Sequence, residues 1–149
     1  MSTQDLPDQL GELVTEFNEV PEPDKLQLLL EFSRSLPELP ARLGEHPEEL
    51  EQVTECQSPL FLTVELDGTG DDAPVNLFFS APAEAPTTRG FASILHEGLN
   101  GLPASQVLSV PDDLPERFGL TRLVSPLRMR GMSAMLGRIK RQIQARQAV

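Results

Sequence analysis

Two runs of alternating apolar residues, separated by a turn, constrain this chain more than any other feature. Leu60, Leu62, Val64 and Leu66 alternate with Phe61, Thr63 and Glu65, and Val75, Leu77 and Phe79 alternate with Asn76, Phe78 and Ser80. A period of two places every second side chain on one face, so each run predicts a half-buried strand. Between them lies Asp67-Gly68-Thr69-Gly70-Asp71-Asp72, whose glycines supply the positive φ that tight turns need. The pair predicts an antiparallel hairpin.

Both flanks change to helical spacing. Leu6, Leu10, Leu13, Val14 and Phe17 fall on one helix face. Residues 18–23, with Pro21 and Pro23, break that pattern. Asp24 is expected to cap a second helix through Leu26, Leu29, Leu30 and Phe32 to about Leu36, ended by Pro37 and Pro40. Residues 37–50 read as a polar connection with a helical turn near Pro47-Glu48-Glu49-Leu50, and Val53 as a short strand just before Cys56. Beyond the hairpin, residues 81–86 form a loop. Thr87 or Thr88 is expected to cap a helix containing Phe91, Ile94, Leu95 and Leu99, which ends near Asn100-Gly101. Pro103, Pro111 and Pro115 divide residues 102–119 into two short helical pieces. Ser125-Pro126 reads as a helix start, with serine as N-cap and proline at the first helical position. Met132, Met135, Leu136, Ile139 and Ile143 then give a long apolar face, with the methionines as ordinary core packing. Helices, a small sheet, then helices again point to an α+β fold rather than alternating α/β. The 149 residues suit one domain spanning 1–149.

Charge and cysteine content exclude several function classes. The chain carries 12 Lys+Arg against 23 Asp+Glu, a net charge of −11. The balance is −11 over residues 1–60, −7 over 61–120 and +7 over 121–149. Such acidity argues against nucleic acid as the main partner, because phosphate binding needs clustered cations. No apolar run is long enough to span a bilayer. Met1-Ser2-Thr3-Gln4-Asp5 lacks the basic region and apolar core of a secretory leader, so the expected compartment is the cytoplasm. The single cysteine, Cys56, cannot form an intramolecular disulfide, and it cannot build a cysteine-rich metal site by itself.

Cys56 is nonetheless the strongest candidate nucleophile. It lies in Glu55-Cys56-Gln57-Ser58-Pro59, a polar loop between two strand signals, and loops on a rigid sheet often carry functional groups. A lone cysteine is more often a small buried hydrophobe, so on residue chemistry alone both readings stand. A reactive thiol must ionise, and Glu55 opposes that, so a cation from elsewhere is required. Arg89 and Arg128 are the candidates. His46 and His96 read as surface or satisfied histidines rather than a partner base. Glu45, Glu48, Glu49, Glu51 and Glu55 read as a solvated acidic face. The 67–72 loop has neither the ligand spacing of a calcium loop nor the strand-to-helix context of a dinucleotide site. Arg138, Lys140, Arg141 and Arg146 read as cations near the end of the last helix, where the helix dipole favours them.

Three patches, taken in order, resemble the SufE family, the sulfur-acceptor partners of cysteine desulfurases. They are Cys56-Gln57-Ser58 before an alternating strand, Arg89-Gly90 opening an apolar helix, and Ser125-Pro126-Leu127-Arg128-Met129-Arg130-Gly131. Leu36-Pro37-Glu38-Leu39 is also similar, and the likeness runs over about residues 8–145. The chain departs from the family pattern at Glu55, where glycine is common, at Phe61, the aromatic nearest the usual tryptophan, and at Arg130, where asparagine or glutamine is usual.

The resemblance implies a small antiparallel sheet of about three strands packed by N-terminal and C-terminal helices, a fold shared with iron–sulfur scaffold proteins. It also implies that Cys56 accepts persulfide sulfur from a SufS-like cysteine desulfurase, stimulates that enzyme, and relays sulfur to a downstream iron–sulfur scaffold. Gln57, Ser58, Arg89 and Arg128 would organise the cysteine loop or meet the partner. Pyridoxal phosphate would belong to the desulfurase, with no cofactor or metal on this chain, which would act as a monomer or weak homodimer. The lack of a resolving cysteine fits relay to a second protein. The competing readings are an interaction module of the same fold with an inert cysteine, and a thiol redox sensor. The charge polarity is a candidate for steering a transient complex.

Overall fold

The alternating residues fold as their period dictates. In the computed structural model, which describes residues 5–148, β1 (Glu51–Gln52), β2 (Phe61–Leu66) and β3 (Val75–Ser80) form one antiparallel sheet in that order. Leu62 pairs with Phe79 and Val64 with Leu77, so their four side chains line one buried face. Of the residues read for a leader, 1–4 lie outside the described residues. The short strand expected at Val53 falls on Glu51 and Gln52, and Val53, fully buried, follows it with its N–H donated to the Leu60 carbonyl.

Six α-helices surround the sheet among the described residues: α1 (Asp8–Glu19), α2 (Glu22–Ser33), α3 (Ala41–Gly44), α4 (Pro86–Leu99), α5 (Ala104–Leu108) and α6 (Pro126–Gln147). A 3-10 turn at Pro47–Glu49 matches the one expected there, and another at Leu114–Phe118 completes the pair of short helical pieces formed with α5. The buried sheet face packs against α4 and α6, and α1 and α2 pack on α4 from the other side. Phe17, Phe32 and Phe118 join α1, α2 and the turn before α6, with ring centroids 5.5 and 5.4 Å from Phe17. On the opposite sheet face, Arg42 of α3 lies 5.4 Å over the Phe78 ring and holds Glu65 through two hydrogen bonds of 2.7 and 2.8 Å.

Three expected helix ends move. Residue Pro21, not Asp24, precedes α2, and Asp24 sits inside the first turn, where its charge favours the helix dipole. Ala85, not Thr87 or Thr88, precedes α4, and Thr88 is buried. In both cases a proline just before or at the helix start presets the backbone, and no side-chain cap is made. The second helix closes at Ser33 rather than near Leu36, because the Arg34 and Ser35 N–H groups bond back to Glu31 and Phe32. Ser125 caps α6 as its sequence predicts, accepting the Arg128 N–H at 3.3 Å. Met129, Met132 and Met135 are all buried.

Gly90 sets how closely α2 and α4 approach. A Cβ there would sit 2.7 Å from both the Leu29 carbonyl oxygen and its Cδ1. The backbone oxygen has no rotamer by which to escape. Gly90→Ala should therefore destabilise the fold by about 1–3 kcal/mol, the usual cost of overpacking, read as a lower midpoint in urea unfolding.

Candidate functional site

Cys56 closes a 3-10 turn, Thr54–Cys56, between β1 and β2. Its N–H bonds the Val53 carbonyl at 3.1 Å. Gln57 follows in the left-handed region at φ 59°, the only non-glycine residue among those described with positive φ. That conformation costs an ordinary side chain about 1 kcal/mol. It reverses the chain so that Ser58 and Pro59 can lead into β2. Gln57 is exposed and Ser58 half-buried, and the Ser58 carbonyl accepts the Leu60 N–H at 2.6 Å.

The cysteine turn lies on α6 because position 131 is glycine. A Cβ at Gly131 would be 3.0 Å from Cys56 Sγ and 3.3 Å from its Cα, so any other residue would push the thiol outward. The Ser125–Gly131 patch thus does two local jobs: it starts α6 and it makes room for the sulfur.

Farther along α6, polar residues fasten the segment that carries the thiol. The Glu51 carboxylate accepts Gln142 Nε2 at 2.9 Å and Arg138 Nε at 3.2 Å, and also pairs with Arg141. Arg138 reaches on to Glu55, with its terminal nitrogen 2.9 Å from Oε1. Gln142 is buried, and its Oε1 accepts the Val64 N–H at 2.8 Å, tying the same clamp to β2. Although burial pushes the Glu51 carboxyl up, hydrogen bonds from Gln142 and Arg141 and the arginine charges more than offset it and hold it below its ordinary value. Glu55 is lowered chiefly by its bond from Arg138.

These contacts correct three expectations. The cation acting on the thiol is Arg138, not Arg89 or Arg128. Arg89 is occupied elsewhere, donating to the Ser33 and Ala81 carbonyls at 2.8 and 2.6 Å, where it ties α2 to the loop after β3. Arg128 is exposed at the start of α6 beside the exposed Leu127. Arg138, Lys140, Arg141 and Arg146 are not mere helix-end charges, since they bind Glu51, Glu55, Asp112 and the Val64 carbonyl. Glu51 and Glu55 likewise leave the supposed acidic face to pair with them. Sequence spacing missed Arg138, and the one available hint was an excess of arginine on a helix whose apolar face was already accounted for.

Neither histidine acts on the thiol. His46 bonds Glu48 at 2.9 Å. His96, half-buried on α4, borders a cavity of about 130 Å³ with residues 36–39 and β3, and burial lowers its pKa.

At rest the thiol is poorly ionised. Burial first, and then the Glu55 charge, push its pKa from 9.0 to about 11, against the opposing pull of Arg138. Fewer than roughly one molecule in a thousand carries the thiolate at neutral pH. The neutral thiol is thus the form that suits the fold.

The sequence model of SufE, described as an Fe-S metabolism associated domain, matches residues 11–143. The chain is 57% identical over 138 residues to an uncharacterised SufE-like protein of Mycobacterium tuberculosis, covering 93% of each. It is 28% identical over 134 residues to the SufE-like protein 1, chloroplastic/mitochondrial, of Arabidopsis thaliana, covering 89% of this chain and 34% of that one. Among solved structures, a hypothetical protein from Thermus thermophilus superposes with a TM-score of 0.83 at 35% identity, covering 97% of this chain and 99% of the other.

The raised thiol pKa has a consequence for stability. A group whose folded-state pKa lies above its unfolded value contributes fully below the unfolded value and loses that contribution as pH rises through the folded one. Between pH 9 and pH 11 the melting temperature should therefore fall more for the native chain than for Cys56→Ser. Parallel melting curves for the two proteins measure the difference, and equal slopes would refute the shift.

Proposed function

The chain belongs to the SufE family, and on that premise we propose that Cys56 accepts sulfur from the persulfide of a cysteine desulfurase and passes it toward iron–sulfur cluster assembly. The observation that carries the reading is the placement of the only cysteine. It closes a strained turn, half-buried against a glycine of α6, on a segment held by side-chain contacts that can be released.

The transfer balances without an outside oxidant. The Cys56 thiol gives up its proton and its sulfur attacks the terminal sulfur of the desulfurase persulfide. A new bond forms between that sulfur and Cys56 Sγ, the bond to the desulfurase cysteine breaks, and the departing thiolate takes up a proton. Pyridoxal phosphate on the desulfurase supplies the persulfide from L-cysteine, and this chain needs no cofactor for its part.

A half-buried thiol shelters the persulfide once formed, but docking must first expose it. Gln57 and Pro59, both exposed, and the half-buried Ser58 are the local elements that would move. The start of α6 offers a docking edge beside the thiol. Leu127 is 43% exposed there, and Arg122, Arg128 and Arg130 are exposed with no ion pair among the described residues. This edge is cationic in a chain whose net charge is −11, which suits an acidic rim on the partner. Relay then passes the sulfur to a scaffold for cluster assembly. The burial and raised pKa of Cys56 are the one observation favouring an interaction module with an inert cysteine.

Intact mass after incubation with a desulfurase, pyridoxal phosphate and L-cysteine separates the two readings. The native protein is expected to gain one sulfur atom and Cys56→Ser none; no gain with a cognate desulfurase would leave the inert-module reading standing. For the docking edge, Arg128→Ala should weaken stimulation of the desulfurase roughly threefold to tenfold without changing the fold. Raising salt from about 0.05 to about 0.5 M should weaken the native pair by a similar factor.

A further inference from the structure

Arg138 and Glu55 meet at the cysteine turn in a way that neither the family likeness nor the proposed sulfur transfer requires. Gly131, which touches Cys56, and Arg138 are two helical turns apart on the same face of α6. Helical side chains lean toward the N-terminus, so the Arg138 guanidinium comes back over the cysteine turn. It is anchored there at 3.2 Å by Glu51 and held at 2.9 Å by Glu55, the residue directly before the thiol. Arg138 is 18% exposed, whereas Glu55 is 45% exposed. The anchor through Glu51 is therefore the sheltered half of the pair of contacts, and the bond to Glu55 is the half that solvent or a partner can reach.

We propose that Arg138 is the positioning residue for the Cys56 thiolate and that Glu55 is a latch that occupies it at rest. This rests on the sulfur-acceptor reading. While Glu55 holds the guanidinium, the carboxylate charge beside the thiol opposes ionisation and cancels the arginine's help. When docking draws Glu55 outward, Glu51 keeps Arg138 in place and the guanidinium is left facing the sulfur. The proton then leaves Cys56 for solvent or for the departing thiolate of the desulfurase, and the new thiolate finds its counter-ion already seated. The other charged groups around the turn are Arg141, paired with Glu51, and the exposed Arg128 and Arg130 at the start of α6. Arg141 leans on Glu51 from the solvent side and is 60% exposed, so it reinforces the anchor rather than replacing Arg138.

Alkylation of Cys56 in the isolated protein, followed by intact mass across pH 6.5 to 10, tests the latch without a desulfurase. Glu55→Gln should label about tenfold faster than the native protein near pH 8, with the midpoint of its rate profile at lower pH. The double variant Glu55→Gln/Arg138→Met should lose that gain, and Glu55→Gln/Arg138→Lys should keep most of it. Should the methionine variant fail to fold, Arg138→Gln takes its place. Labelling of Glu55→Gln at the native rate would overturn the latch. Equal rates for Glu55→Gln and Glu55→Gln/Arg138→Met would overturn the role of Arg138. Sulfur uptake in the desulfurase mass assay is read separately, so the latch can fail while sulfur acceptance stands, and the reverse.

Discussion

The half-buried carboxylate of Glu51 is the contact on which the arrangement of the candidate site depends. A carboxylate at that depth is costly unless its oxygens are bonded, and α6 supplies Arg138, Arg141 and Gln142 to do so. The strand that carries Glu51 is only two residues long and would have little reason to stay in place on sheet pairing alone. Bound to α6, it fixes where the next turn begins, and that turn ends in Cys56. Gln142 extends the clamp to Val64 in the middle of β2, so the helix, the short strand and the hairpin hold one another in register. Breaking one partner of such a network leaves a polar group buried without a bond, which costs about 1–3 kcal/mol.

The same packing creates a conflict around the sulfur. Close contact with Gly131 shields the thiol, which in the proposed sulfur-acceptor role would protect a labile persulfide, and shielding also raises the pKa to about 11 and suppresses the nucleophile. A permanently exposed cysteine next to a free arginine would ionise readily, but would also surrender its cargo to any thiol in solution. In the proposed latch, a half-buried thiol with a cation held in reserve would keep the two demands apart in time. The strained Gln57 lies at the outlet of the turn, where a modest backbone change would carry the sulfur outward.

Much of the fold is legible in the sequence because it is encoded locally. Leu62, Val64, Leu77 and Phe79 announce their shared face by a period of two, and Met132, Met135, Leu136, Ile139 and Ile143 announce theirs by helical spacing. Each pattern records which side of an element is buried, whatever lies opposite. Ser125 is legible as a cap for the same reason, since its bond closes three residues away. Asp24, Thr87 and Thr88 mislead because cap preference is a weak signal beside proline, which sets the backbone at the start of α2 and α4 without any side-chain bond. The site is half legible. Cys56 stands out as the lone thiol in a polar loop and Glu55 as its opponent, but the cation is not legible: Arg89 and Arg128 are candidates that no spacing places, and Arg138 is not among them.

By itself the sequence determined the order of helices and strands, the hairpin, the start of α6 and the position of the thiol between two strands. These follow from spacing and turn chemistry within a few residues of one another. Only the tertiary structure decided that Arg138, 87 residues from Glu51 along the chain, stands over the cysteine turn while Arg89 holds two carbonyls elsewhere. That choice depends on how far α6 slides along the sheet, which the whole core fixes at once. No pattern of period two or three and six-tenths records it, because an arginine on a helix surface looks the same in sequence whether it meets water or a carboxylate.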